Sequence, residues 1–570
     1  MKNFYIRTAV LPGLLCLLTL SLRSQDFIKN GEIHGIFQAD AAWYMNDAKM
    51  GITDSTLAGK VFRMNGMTGV TYTYGNFSAG MRFEAYLPPL LGYDTRYTGA
   101  GVPYYYVDYQ TDELQITAGN FYEQFGNGMT LRTYANWNLG YDNSLRGLRV
   151  RYMPIKGITI KGVIGFQRDF WIPWENYNRG IVKGADAEFI LNDIFHKMAN
   201  RKTRIILGGS FVSDYQKGNS MDYVLGNEIV TLKLPENVAC MSGRIDISVG
   251  KFDLISEYAY KINDPSAMNQ YIYKNGQALM GSLSFSQKGL GILLATKWID
   301  NMSYKSLRSM TQNGLDINYL PPVTLEHDYA LASMYPYATQ TTGEAGFQGQ
   351  ITYTIKKNTK MGGKTGITFA LNYSLVNSIN KKPVNDTTYV GEPGTLGYQT
   401  GFFSVGNNNY YQDLNLEVTK KFGKKAKGIF TYLYQVYNKD VIEGHVNEYG
   451  TVFANIGIAD VSWYVTKKTT LRWEAQGLWT KQDKGNWLAG LMELTLSPNW
   501  FASVQDQWNY GNSDKSQQLH YFLVSAGYTH RSTRISLSYG RQREGILCVG
   551  GVCRQVPASS GFTLSLSTNF

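Results

Sequence analysis

Ionised side chains recur two residues apart inside segments that otherwise read as sheet. Arg82 with Glu84, Arg244 with Asp246, and Arg472 with Glu474 each share one face of a segment, as Asp413 does with Glu417 and Lys161 with Thr159. The opposite faces carry Met81 and Phe83, Ile245 and Ile247, Leu471 and Trp473, Leu414 and Leu416, and Ile158 and Ile160. An ionised group turned to lipid at mid-bilayer costs roughly 2–4 kcal/mol, so the charged faces must meet water or opposite charge. Both signs occur, which suits a salt-bridged interior that holds a loop or plug at least as well as a charged selectivity filter.

Other chemistry is sparse. Cys548 and Cys553 flank Val549-Gly550-Gly551-Val552, where two glycines let the chain reverse, and a small loop disulfide is the expectation for an exported chain. Free thiols or a soft-metal clip are the alternatives, and no nearby His completes a zinc set. Cys240 reads as a small buried residue near a strand start. The six histidines, His34, His196, His327, His445, His520 and His530, are dispersed. There is no nucleophile elbow and no glycine-rich phosphate loop between strand and helix. The chain therefore reads as a non-enzyme without cofactor or metal; a membrane hydrolase would need a Ser/His/carboxylate cluster assembled by the fold.

The elements that position these charges are strands. Ile33, Phe37, Ala39, Ala41 and Trp43 alternate with His34, Gln38, Asp40 and Tyr44, and the same period returns along the chain to Gly561–Phe570. There Phe562, Leu564, Leu566 and Phe570 are expected to face lipid and Ser565 and Ser567 the lumen, in a C-terminal assembly strand ending on an aromatic. With 42 Tyr, 59 Gly, 11 Trp and a mean hydropathy of −0.26, the composition suits a sheet with lipid on one face and water on the other. The formal charge of +11 is scattered, which excludes nucleic acid as a partner.

Lys2 and Arg7 precede an apolar run from Ala9 to Leu22, the order of a secretory signal peptide. Residues 1–24 are the expected leader and 25–570 a single barrel domain. Few residues separate Gln25 from the first strand, which argues against a globular plug before the barrel and hence against a TonB-dependent receptor.

Connections alternate between short turns, as at Tyr74 to Asn76, Gln287 to Gly289 and Ser497 to Asn499, and long polar stretches. Such a rhythm predicts an all-β, transmembrane antiparallel barrel of about 24 strands (22–26), with short periplasmic turns and long extracellular loops. A barrel that wide has a large lumen. The loops Asn301 to Thr342 and Asn377 to Asn409 are long enough to fill it. The loop Gln124 to Ser144, with Asp142 inside it and Glu123 and Arg146 beside it, either folds inward or decorates the surface. Lysine-rich turns at Lys356 to Lys364 and Lys420 to Lys427 read as solvated, with anionic lipid or a periplasmic partner as the alternative.

Gly75-Asn76-Phe77 and Gly119-Asn120-Phe121, and Leu91-Gly92-Tyr93-Asp94 and Leu139-Gly140-Tyr141-Asp142, echo one another. With the loop Cys548 to Gly561 these segments resemble an uncharacterised family of large Gram-negative outer-membrane β-barrels, a domain of unknown function. The resemblance implies location and fold and brings no substrate, cofactor or catalytic residue. The expected role is a channel or transporter for small or hydrophobic solutes, occluded by its own loops. The alternative is a structural or accessory subunit of an envelope secretion or assembly complex. Expected partners are outer-membrane lipids, the barrel-assembly machinery and, under the alternative, other envelope proteins.

Overall fold

A computed structural model describes residues 31–172, 179–218, 220–225, 228–311, 314–549 and 552–570. The expected leader, residues 1–24, and the glycine pair Gly550-Gly551 lie outside them.

One sheet of 24 strands dominates, every neighbouring pair antiparallel. It closes because the first strand, Glu32–Tyr44, pairs on one side with Phe62–Tyr74 and on the other with the last, Ser559–Asn569, in a register running from Ile36↔Asn569 to Tyr44↔Gly561. Barrel strands are 8 to 14 residues long, enough to cross a bilayer when tilted. Closure leaves no edge strand, the condition for a lipid-exposed sheet.

The ladder fixes which residues face out. Large apolar groups of the outward phase, among them Trp43, Met81, Ile160, Leu416, Trp473, Phe562 and Leu564, are exposed. Aromatic residues gather at the two ends of this face. Phe77 packs on Tyr109, Phe252 on Phe285 and Trp500 on Tyr528 at the turn end, and Trp43 on Phe62 and Tyr539 on Phe562 at the loop end. Between them runs an aliphatic belt, the profile of a barrel wall spanning a membrane.

Short turns occupy one end of the barrel, several on glycines whose positive φ suits a tight reversal, such as Gly289 (φ 83°) and Gly423 (φ 72°). At this end Lys420 Nζ donates to Gly362 O at 2.8 Å and ties two of the lysine-rich turns together. The other end carries the long loops, three of which contain hairpins of their own: Ala135–Asn136 with Tyr141–Asp142, Ser220–Leu225 with Glu228–Lys233, and Gly545–Val549 with Val552–Val556.

One expectation is corrected. The loop between Asn377 and Asn409 does not fill the lumen; it folds outward over the rim. Trp298 points out of the barrel, donates its Nε1–H to Ser404 O at 3.0 Å and meets Phe402 at a ring separation of 5.1 Å. Tyr398 donates to Asp300 at 2.6 Å, and Ile272, Ile379 and Tyr398 form a small core with Trp298. The apolar and hydrogen-bonding partners this loop needs are on the outer rim, so it stays there.

Candidate functional site in the lumen

The lumen is plugged by two loops. The segment after Leu114–Phe121 turns inward, and its Phe125, Met129 and Leu131 are fully buried against wall residues Val163, Val182, Val212 and Val238. Each such side chain contributes about 1.5–3 kcal/mol of hydrophobic stabilisation. Gly126 (φ 51°) makes the approach possible, since a Cβ there would fall 2.7 Å from the Glu257 carboxylate. Glu257 is buried on the wall and accepts from Asn127 N at 2.8 Å.

The loop joining Leu290–Asp300 to Gly343–Ile355 supplies the rest. Its first half zips to the inner loop through Arg132 N to Ile317 O (2.8 Å) and Tyr319 N to Gly128 O (2.9 Å), with Arg132 stacked on Tyr319. Its second half packs Leu331, Tyr335 and Tyr337 against Tyr411, Leu433, Tyr437 and Trp487. At its tip Ala330 O accepts from Arg543 at 3.3 Å, and Trp137 of the inner loop reaches Asp40 on the first strand at 3.4 Å. The plug therefore spans the lumen.

Inward charges hold it there. Arg82 pairs with Glu84 at 2.7 Å and with Asp142, while Arg168 binds Glu84 and Asp142, each at 2.7 Å, closing a four-member ring between wall and loop. Burial alone would raise the Asp142 carboxyl; Arg168 and Arg82 outweigh it and hold it below the usual carboxylate range. Lys161 reaches Glu123 at 2.9 Å. Arg244 binds Asp186 at 2.6 Å, beside the Gly126 turn. Lys297 and Glu344, both fully buried, meet at 2.5 Å; Lys297 also donates to Pro321 O at 2.7 Å, and Glu344 accepts from Tyr337. On the other wall His327 binds Asp413, Tyr329 donates to Asp460 at 3.1 Å, and Gln476 accepts from Leu331 N at 2.8 Å. Arg472 bridges Asp460 and Glu474 at 2.9 and 2.5 Å.

Of the nine inward charges picked out from sequence, seven thus sit in ion pairs or hydrogen-bond chains that touch or support the plug. Asp246 and Glu417 do not; Glu417 accepts only from Thr419, at 3.2 Å, among the described residues. The sequence reading missed Arg168, Lys297, Glu344 and His327. Lys297 and Glu344 lie at the loop ends of their strands, where their segments show no charged partner two residues away.

Above the plug lies a cavity of about 910 Å³ at the long-loop end, bordered by Tyr93, Arg96, Asp142, Arg168, Gln340 and Gln555. The Gly545–Val556 hairpin overhangs it. Cys548 and Cys553 stand opposite each other there and are joined by a disulfide, and Arg554 stacks on Tyr93 and donates to Leu91 O and Asn138 O. Cys240 is buried. Among the described residues no cluster of three or more His, Cys, Asp or Glu could hold a metal ion. Four described histidines stand beside a carboxylate, His327 and His520 hydrogen-bonded to Asp413 and Asp506, His34 3.6 Å from Glu32 and His445 3.4 Å from Glu448, and none has a serine hydrogen-bonded to its ring among the described residues.

The model of a family of unknown function, DUF6029, matches residues 1–570. The chain belongs to that family. No curated protein sequence matches it. Among solved structures, the P pilus usher (PapC) translocation pore is similar at 10% identity and a TM-score of 0.39, covering 94% of this chain and 99% of the usher. A mutant of the ferric enterobactin receptor (PfeA) from Pseudomonas aeruginosa is similar at 11% identity and a TM-score of 0.41, covering 95% of this chain and 80% of the receptor. The copper transporter OprC is similar at 9% and 0.38, covering 95% and 81%. The closed wall, its outward belt and its charged interior make this family member an outer-membrane barrel of the Gram-negative type.

Proposed function

We propose that the protein is an outer-membrane channel for small solutes, kept shut by its own loops. The observation that carries this reading is a lumen spanned by a plug that is tied to the wall by buried ion pairs as well as by apolar packing. A wall of 24 strands encloses more space than its side chains fill. Were the barrel only a scaffold, an apolar filling would hold at least as well, because buried ion pairs are weak sources of net stability. Their use fits a filling that is held in one geometry and released when a few contacts change. The cavity of about 910 Å³ above the plug is where a solute arriving from outside would wait.

The test is conductance in planar bilayers and solute uptake in liposomes. The intact protein should pass little current, and a variant in which residues 322–336 are replaced by a short Gly-Ser linker should give large, sustained openings. If both are folded and neither passes ions or any solute tried, the reading fails.

A further inference from the structure

Three adjacent turns at the periplasmic end hold a concentration of positive charge that the plug does not use. They join Gly343–Ile355 to Ile367–Asn377, Asn409–Phe422 to Ala426–Asn438, and Thr451–Tyr464 to Thr469–Trp479, six strands that are successive neighbours in the wall. Four lysines stand between Lys356 and Lys364, five between Lys420 and Lys427, and Lys467 and Lys468 on the third turn. Residues 352–368, 418–428 and 461–471 contain no Asp or Glu. Nine of the eleven lysines are exposed, Lys420 and Lys427 being half-buried. Among the described residues none of the eleven pairs with a carboxylate, and Lys420 alone donates its ammonium to a protein acceptor. The rest of this end differs: halfway round the wall the turn after Gly99–Gln110 carries Asp112 and Glu113, and Lys156 pairs with Asp193 at 3.0 Å.

The arc leans toward lipid. Tyr353, Phe422 and Trp463 are exposed near the turn ends of their strands, an aromatic row that marks the level of the headgroups. Lys420 shares the outward phase of Leu414, Leu416 and Phe422. From that face its Nζ reaches Gly362 O at 2.8 Å, which draws the turn of residues 356–366 to the outer side of the barrel. The turn is folded back on itself by Asn358 N to Gly363 O (2.6 Å) and Gly363 N to Thr359 O (2.8 Å), and Thr365 Oγ1 donates to Lys421 O at 2.5 Å. At its tip Met361 is 73% exposed, an apolar side chain set among lysines.

We infer that this arc binds anionic phospholipid headgroups of the periplasmic leaflet. Ammonium groups held at headgroup depth without a carboxylate of their own attract a lipid of net negative charge. Phosphatidylglycerol offers a phosphate diester with no internal counter-charge. In phosphatidylethanolamine the headgroup's own ammonium offsets the phosphate, so the arc discriminates between the two. Met361 enters the acyl boundary beside the bound headgroups. An acidic periplasmic protein fits less well, because the turn tied to Lys420 lies on the lipid side of the wall.

The test uses the full-length barrel in vesicles of equal parts phosphatidylglycerol and phosphatidylethanolamine, extracted gently and read by native mass spectrometry. Retained lipid should be enriched about fivefold in phosphatidylglycerol, the worth of one lysine beside an anionic headgroup. The enrichment should fall toward parity at about 1 M salt, where charges are screened within about 3 Å. Changing the nine exposed lysines to Gln should abolish it while heat-modifiable gel mobility still reports a folded barrel, and Lys156→Gln should leave it intact. Equal retention of the two lipids by the unaltered protein, or a preference that survives either high salt or the nine substitutions, would overturn the assignment. So would barrel extracted from its native membrane with these lysines crosslinked to a periplasmic protein and no anionic lipid retained.

Discussion

The Lys297–Glu344 contact concentrates the energetics of the plug in two side chains, each with no solvent exposure. Removing one partner leaves the other as an uncompensated buried charge, a loss of about 3–5 kcal/mol. Glu344→Gln should therefore loosen residues 301–342, seen as faster amide exchange there and as added leak current. Replacing both with apolar residues of similar volume should recover most of the loss, because the desolvation of two ions disappears with their attraction. Asp142 behaves differently with acid. Its folded pKa is depressed, so its contribution is complete above the ordinary carboxylate value of about 3.9 and is lost only as pH falls through the depressed value. The inner loop should keep its protection from exchange at pH 5 and lose it only well below pH 4. Loss of that protection between pH 6 and 5 would contradict the ring of Arg82, Glu84, Asp142 and Arg168.

At the scale of strands, the seam is the most constrained junction. Gly35 and Phe570 exchange backbone hydrogen bonds of 2.7 and 2.9 Å, and the Phe570 ring covers Gly35 so closely that a Cβ there would lie 2.1 Å from it. Gly35→Leu should displace the ring and lower the fraction of barrel that resists unfolding by detergent and heat. Gly291, with open space around it, should accept Ala at the small cost of an ordinary strand position. Strands of this kind were legible in the sequence because alternation survives wherever one face meets lipid: the phases read for Arg82, Ile160, Leu416 and Trp473 match the ladder. Loop destinations were less legible. Asn301 to Thr342 and Asn377 to Asn409 are similar in length and polarity, and what sends one inward and the other over the rim is a set of partners, Glu344 and Asp413 against Trp298 and Asp300, brought near only by closure of the barrel.

Across the whole molecule, the charged inner faces announced that something must meet them, and the two-residue spacing identified most of the wall side of the site. Arg168, Lys297 and His327 were hidden because the carboxylates they bind, Glu84, Glu344 and Asp413, come from strands far from them along the chain. The overhanging hairpin is a separate matter. Cys553→Ser should cost the hairpin about 2 kcal/mol, as expected for so small a loop. It should raise protease cleavage within residues 545–556 and leave the barrel's thermal transition unchanged, since no barrel strand depends on it.

The larger plug loop leaves and rejoins the wall on adjacent strands, Leu290–Asp300 and Gly343–Ile355, and its tip rests near Arg543 by the seam. It is hinged on one bank like a drawbridge, and can swing but never be expelled. The gap would open first on the far bank as a crescent along the seam. There the wall offers a cross-strand row of Ser503, Ser525, Ser538 and Thr563, and none of the buried apolar side chains belongs to the strands that carry it. Such a crescent would sieve by width and by hydroxyl contact rather than by charge. Ser538→Trp in the linker-shortened variant should then narrow the open current without biasing it toward cations or anions.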